Sequence, residues 1–243
     1  MEVLNDILGY KNRKIFQDTD CFSFSLDSIM LANFATIRLK DKKIVDLGCG
    51  NGVIPLIMSL RCDKKIIGVE LQSKLADMAK RSVDYNGLND VIEIINTNMK
   101  DYVSDETFES FDLITCNPPY FKVNDKNFFN DNIEKVIARH EVEITLSELM
   151  TIVKKLLKNN GNFAIVHRTD RLMEILSEFR KNNIEPKRVR FVHEKSNKES
   201  TLVLIEGQKN GKVGLKVENP FILYNEDGSE TKEYKKLLVE VKE

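Results

Sequence analysis

From about residue 43 onward, short apolar runs alternate with stretches whose apolar positions recur at helical spacing. Lys43–Leu47 (KIVDL) is a β-branched run ending in glycines, which predicts a strand feeding a tight turn. The apolar run Val53–Leu60 predicts a helix, and Lys65–Glu70 a second strand. In Ser73–Asn86, Leu75, Met78, Ala79 and Val83 share one helical face, and Gly87 supplies a C-terminal cap. Val91–Ile95 and Phe111–Cys116 predict strands three and four. Leu146–Leu157 has helical spacing, with Gly161 after it. Asn162–Val166 predicts a fifth strand, Arg171–Lys181 a helix, and Lys187–Val192 and Thr201–Glu206 the last two strands. Strands alternating with helices predict an α/β fold with a mainly parallel sheet.

Three regions fall outside the alternation. Residues 1–42, with the aromatic and polar run IFQDTDCFSFSLDSIMLANFA, are expected to form a cap or lid. Residues 118–143 make a long connection with little periodicity, and such connections at strand carboxyl ends are usually functional. Residues 208–243 are charged, with a turn at Asp227-Gly228, and are expected to pack as an extension on the domain formed by 43–207.

Composition narrows the picture mainly by exclusion. The formal charge is −1, so a nucleic-acid site must rest on a local basic face. Lys187, Arg188, Arg190, Lys195 and Lys198 form the densest such stretch. Lys122, Lys126, Lys135 and Arg139 could form a second rim, diluted by Asp125, Asp131 and Glu134. The cysteines Cys21, Cys49, Cys62 and Cys116 form no C-x-x-C pair, and no metal site is expected. No run approaches the ~20 apolar residues of a membrane helix, so a cytoplasmic protein without membrane contact is expected, a monomer being favoured.

The first chemical motif is Asp46-Leu47-Gly48-Cys49-Gly50-Asn51-Gly52, between a strand and a helix. Open α/β sheets bind nucleotide-like ligands at that place. A dinucleotide loop reads G-x-G-x-x-G and aims a helix amino terminus at a pyrophosphate. Here the glycines fall as G-x-G-x-G. That arrangement suits a cationic sulfonium amino acid, which needs carbonyls and a carboxylate such as Asp46. Glu70 ends the second strand, where an acid can hold both ribose hydroxyls by charge-assisted hydrogen bonds.

With this loop and acid, residues 43–207 resemble the class I S-adenosylmethionine methyltransferases. The resemblance implies a Rossmann-like, mostly parallel seven-stranded sheet with helices on both faces and an antiparallel last strand. It implies S-adenosyl-L-methionine as cofactor, contacted by Asp46, Gly48, Gly50, Asn51, Glu70 and Leu71. An acid for the cofactor adenine is expected after the third strand. Asn98 stands there, its side-chain carbonyl able to accept from the amino group, and Asp101 is a second candidate. Ile29, Ala32, Asn33 and Phe34 suggest a short helix near Phe22 and Phe24. It is either core packing or a cofactor lid with Asp27 near the methionine amine.

The fourth strand runs into Asn117-Pro118-Pro119-Tyr120. The prolines stiffen the turn and remove two amide donors, leaving acceptors. An exocyclic NH₂ needs two: the Asn117 side-chain oxygen and the Pro118 carbonyl. Tyr120 offers a face for stacking a planar group. In the families resembled, N-P-P-Y marks methylation of adenine, guanine or glutamine amino groups. Together with F-S-F-S-L-D-S-I-M-L-A-N-F, A-R-H-E around His140 and F-A-I-V-H-R, the chain resembles the tRNA(Val) adenine N6-methyltransferase family. That resemblance implies tRNA as partner and N6-methyladenosine next to the anticodon as product. Glutamine-amide methylation of a protein, guanine-N2 methylation of ribosomal RNA and a non-catalytic RNA-binding module are the alternatives.

Overall fold

A computed structural model describes residues 1–7, 10–18, 26–118 and 144–238. The elements in chain order are β1 (Glu2–Ile7), β2 (Tyr10–Asp18), α1 (Leu26–Phe34), β3 (Lys43–Leu47), α2 (Val53–Met58), β4 (Lys65–Glu70), α3 (Ser73–Tyr85) and β5 (Ile92–Asn96). There follow β6 (Phe111–Cys116), α4 (Leu146–Leu156), β7 (Leu157–Arg168), a 3-10 turn (Thr169–Arg171), α5 (Leu172–Lys181), β8 (Ile184–His193) and β9 (Ser200–Lys209). Two short strands, β10 (Lys216–Val217) and β11 (Phe221–Ile222), and α6 (Lys232–Leu238) end the described chain.

The central sheet runs β10-β8-β9-β7-β6-β3-β4-β5, with β11 also paired to β8. Its seven long strands are parallel except β9, which pairs antiparallel with both β7 and β8. This is the Rossmann-like sheet with an antiparallel last strand that the resemblance implies. The short β10 and β11 are additions the sequence did not announce.

Alternation along the strands divides the core. Ile44, Ile66, Ile92 and Leu113 face one side, with Ile29 and Leu31 of α1, Leu56 and Ile57 of α2, and Ala79 and Val83 of α3. Val45, Ile67 and Ile114 face the other, with Leu149 and Val153 of α4 and Ile175 and Phe179 of α5. The helices α3, α4 and α5 turn an apolar stripe to the sheet, as their periodicity requires, whereas α2 is buried on every side. Thr145 and Glu148 form a capping box that starts α4. Gly87, at φ +65°, ends α3 in the left-handed conformation the sequence predicts there.

The β1–β2 hairpin was not legible as strands in the sequence. It packs on α3, whose polar side chains satisfy the outer edge of β2. Phe16 N–H donates to Ser82 Oγ (2.9 Å), and Lys14 N–H donates to Asn86 Oδ1 (3.0 Å). Asn86 Nδ2 returns a bond to the Lys14 carbonyl (2.7 Å). One strand edge is thereby closed by a helix rather than another strand.

The basic stretch at 187–198 mostly fastens the C-terminal residues to β8. Arg188 pairs with Glu206 (3.2 Å) and Glu218 (2.9 Å), and Arg190 with Glu233 (2.6 Å). Lys187 Nζ donates to the Lys212 carbonyl and Lys195 Nζ to that of Glu226. Phe221 and Tyr234 are buried in the same core cluster as α1 and α2.

Candidate active site

β3 is the first strand of the central sheet. The chain then builds β4 and β5 to one side of it and β6 and β7 to the other. A crevice opens at the carboxyl ends of strands where the order reverses in this way. Leu47 pairs with Cys116, so the chain leaves the sheet at Gly48 and at Asn117 side by side. Glu70 pairs with Asn96 one and two strands further on. The switch point therefore gathers Asn117, the glycine loop, Glu70 and the turn that holds Asn98.

The glycine loop is held by backbone and by Glu70. Gly48 and Cys49 both donate to the Val69 carbonyl, at 2.8 and 3.0 Å. Gly48, Gly50 and Gly52 adopt φ of +72°, +56° and +92°, which only glycine takes without strain. Glu70 is buried. Its Oε2 accepts from Gly50 N–H (2.9 Å) and its Oε1 from Gln72 N–H (2.8 Å). The acid thus locks the loop to the start of α3.

Asp46 is fully buried between strands. Its Oδ1 accepts from Thr115 Oγ1 (2.7 Å), and its Oδ2 has no hydrogen-bond partner among the described residues. Burial, with Glu70 nearby, pushes its pKa up to about 8, against the lowering effect of Thr115. A buried carboxyl with one unsatisfied oxygen beside a glycine loop fits a cationic ligand group.

Asn51 donates Nδ2 to the Phe16 carbonyl (3.1 Å), which ties the glycine loop to the hairpin. Leu71 is partly exposed, and its carbonyl accepts from Asn96 Nδ2 (2.9 Å). The same Asn96 nitrogen donates to the Glu70 carbonyl (2.8 Å). Asn98 is half-buried, and its Oδ1 accepts from Lys100 N–H (2.9 Å), a turn that fixes the side chain. Asp101 is exposed.

Asn117 and Pro118 are half-buried at the end of β6. Asn117 Nδ2 donates to Ser28 Oγ on α1 (2.9 Å), beside half-buried Asp27. Pro119, Tyr120, Cys21, Phe22, Phe24, His140 and the loop cations Lys122, Lys126, Lys135 and Arg139 lie outside the described residues.

Sequence reasoning missed Ser28, Thr115, Asn96 and the hairpin carbonyl of Phe16 as neighbours of the site. Thr115 carried a signal, a hydroxyl in the buried apolar run Leu113–Cys116. Ser28 sits in the quoted F-S-L-D-S run, but nothing in the sequence links it to Asn117, 89 residues away. Among the described residues no cluster of His, Cys, Asp and Glu is placed to hold a metal. No helix among them is long and apolar enough to cross a membrane.

Comparison with known proteins agrees with this geometry. A tRNA1(Val) (adenine(37)-N6)-methyltransferase of Bacteroides thetaiotaomicron is 29% identical over 168 residues, 68% of this chain and 68% of the relative. The crystal structure of a predicted O-methyltransferase from Agrobacterium tumefaciens superposes with a TM-score of 0.69 at 17% identity. The match covers 88% of this chain and 95% of that one. Geranyl diphosphate C-methyltransferase from Streptomyces coelicolor, solved with S-adenosyl-L-homocysteine, superposes with a TM-score of 0.55 at 14% identity. That match covers 75% of this chain and 76% of the other. The family model described as methyltransferase small domain matches residues 25–191. That span takes in α1, the glycine loop, Glu70 and Asn117, and the chain belongs to the methyltransferase small domain family.

Proposed function

We propose that this protein transfers a methyl group from S-adenosylmethionine to the N6 amino group of an adenine in tRNA, next to the anticodon. The observation that carries the reading is the placement of Asn117 beside the glycine loop at the sheet's switch point. The name of the Bacteroides relative supports the substrate, and the neighbour solved with S-adenosylhomocysteine supports the cofactor.

Bound S-adenosylmethionine supplies an electrophilic methyl group on a cationic sulfur. Glu70, whose two oxygens also accept from Gly50 N–H and Gln72 N–H, holds the ribose hydroxyls. Asp46 offers its unpaired Oδ2 to the positive charge of the methionine part. Asn98 or Asp101 lies at the adenine end.

On the substrate side, Asn117 Oδ1 and the Pro118 carbonyl accept the two hydrogens of the amino group. They aim its lone pair at the methyl carbon and stabilise the positive charge that grows on nitrogen. Nitrogen forms the new N–C bond as the C–S bond breaks, and the surplus proton then leaves nitrogen for water. Tyr120 stacks on the base. No strong general base is required, because the methylated ammonium is acidic.

The test is incubation with tritiated cofactor and separate pools of tRNA, ribosomal RNA and translation release factor, followed by nucleoside analysis. The expected label is N6-methyladenosine from tRNA. Label in protein, or in guanosine, overturns the substrate assignment.

A further inference from the structure

We infer that Ser28 is a positioning residue for methyl transfer: by holding the Nδ2 end of the Asn117 amide it sets the angle at which the carbonyl oxygen meets the substrate. The inference deepens the proposed function and rests on its use of Asn117 as an acceptor.

An asparagine amide has two chemically opposite ends attached to one rotatable bond. Half a turn about that bond puts an NH₂ where the carbonyl oxygen stood. The reaction proposed here tolerates one orientation only. With Nδ2 toward the amino group, donor meets donor, and the lone pair on the acceptor nitrogen is drawn into a hydrogen bond instead of toward the methyl carbon. The Nδ2 end must therefore be held away from the substrate. Asn117 Nδ2 donates to Ser28 Oγ at 2.9 Å, so the carbonyl oxygen is turned away from Ser28.

Ser28 can do this because α1 is itself held in register. Ile29, Met30, Leu31, Ala32 and Phe34 are buried, with α1 packed on α2 and on β7. The last carbonyls of the helix are gripped by two guanidinium groups. Arg61 donates to the carbonyls of Ala32 and Ala35, and Arg188 to that of Phe34 (3.3 Å). Cations at a helix carboxyl terminus satisfy its orphan carbonyls and its dipole. Asn33 Nδ2 adds a bond to Tyr10 Oη of the hairpin (2.8 Å). The helix is thus pinned along its length, and Ser28 near its first turn acts as a fixed reference for Asn117 across 89 residues of chain.

The experiment compares wild type with Ser28→Ala, Ser28→Thr, Asn117→Ala and the Ser28→Ala/Asn117→Ala double variant. Methyl transfer to tRNA is read as kcat and KM, cofactor affinity by calorimetry. The Asn117 side-chain amide is read by NMR on asparagine-labelled protein and assigned by its disappearance in Asn117→Ala. Ser28→Ala is expected to lower kcat about 10- to 100-fold, with cofactor affinity within twofold. Ser28→Thr, which keeps the hydroxyl, is expected to restore most of the rate. The double variant is expected to be no slower than Asn117→Ala, because Ser28 acts only through Asn117. The amide protons of Asn117 are expected to shift and exchange faster in Ser28→Ala but not in Ser28→Thr.

Wild-type kcat in Ser28→Ala overturns the inference, as does a Thr variant as slow as the Ala variant or a double variant slower than Asn117→Ala. Loss of cofactor binding or folding in Ser28→Ala throws the decision onto the Thr variant and the NMR signature. An unchanged Asn117 amide pair in Ser28→Ala overturns the inference whatever the substrate proves to be. Failure of the proposed function looks different: wild type leaves tRNA unlabelled, or Asn117→Ala turns over normally.

Discussion

The glycine loop after β3 and Asn117 at the end of β6 leave the sheet side by side, and they are held in different ways. The glycine loop is fixed locally. Apart from one tie from Asn51 to the Phe16 carbonyl of the hairpin, its conformation follows from three left-handed glycines, the Val69 carbonyl and Glu70, all within the β3–α2–β4 unit. Asn117 leans instead on Ser28, from a helix at the start of the matched family segment. A cofactor that is exchanged every turnover needs a cradle that stands before it arrives. An acceptor whose value lies in the transition state needs its angle set, and a packed helix can set it. Substitutions in the first loop should therefore act on cofactor affinity, and substitutions around the second on rate.

The sharpest way to break that division is Asn117→Ala. Loss of one aimed acceptor is expected to lower kcat by about 10²–10³, by analogy with loss of one oxyanion-hole donor. Cofactor affinity should stay within twofold in calorimetry. A variant that loses affinity and rate together would show that the two loops are one unit.

Glu70→Ala is the complementary probe. Charge-assisted hydrogen bonds are worth about 1.5–3 kcal/mol each, so cofactor binding should weaken at least tenfold. The structure adds a second consequence. Glu70 also anchors Gly50 and Gln72, so hydrogen exchange of those two amides should quicken in the variant before any ligand is added. Unchanged affinity would remove Glu70 from the cofactor site, and unchanged exchange would remove it from the loop.

A third test uses pH. Burial holds Asp46 protonated up to about pH 8, and an arriving cation should draw the proton off. Cofactor binding then releases up to one proton at neutral pH. Affinity should rise with pH by up to tenfold per unit between about pH 6 and 8 and level off above. Asp46→Asn keeps a partner for Thr115 but should flatten the curve. Calorimetry in two buffers of different ionisation enthalpy counts the proton directly. Zero protons released at pH 7 would detach Asp46 from the ligand's charge.

The first loop was legible in the sequence because its determinants are short-range. Glycine spacing, flanking strands and the acid at the end of β4 all lie within residues 43–70. The neighbourhood of Asn117 was legible as chemistry but not as geometry, since Ser28 is brought to it only by the packing of α1. The same holds for the basic stretch. Lys187, Arg188, Arg190 and Lys195 cluster in sequence, but the acids and carbonyls that hold them come from residues 206–233 and join them only in the fold. Of β7 only Asn162–Val166, after Gly161, was legible as a strand. The strand begins at Leu157, and a register shift against β6 absorbs the residues before Asn162. The β2 edge was invisible because its partners are helix side chains, Ser82 and Asn86.

The last expected effect concerns stability at the far side of the comparison, on β7. His167 is buried, and its Nδ1 accepts from Arg168 N–H (2.8 Å). Burial, reinforced by the nearby Arg171 cation, lowers its pKa to about 4, so the native ring stays neutral at pH 6. The unfolded chain takes up a proton on this ring near pH 6.5. The folded state binds fewer protons between those values, so stability is fully present above pH 6.5 and drains away as pH falls toward 4. The loss from this one ring is at most about 3 kcal/mol, or several degrees of melting temperature for a chain of this size. His167→Asn, which keeps a polar group near the Arg168 amide but cannot titrate, should melt lower than wild type at pH 7.5. Its melting temperature should then fall less than that of wild type between pH 6.5 and 4.5. Since His167 lies outside both loops, cofactor affinity at pH 7.5 should not change. Parallel melting curves for the two proteins across that range would show that the ring titrates near its ordinary pKa in the native state. A loss of cofactor affinity would extend the cradle to β7 and blur the division between the two loops.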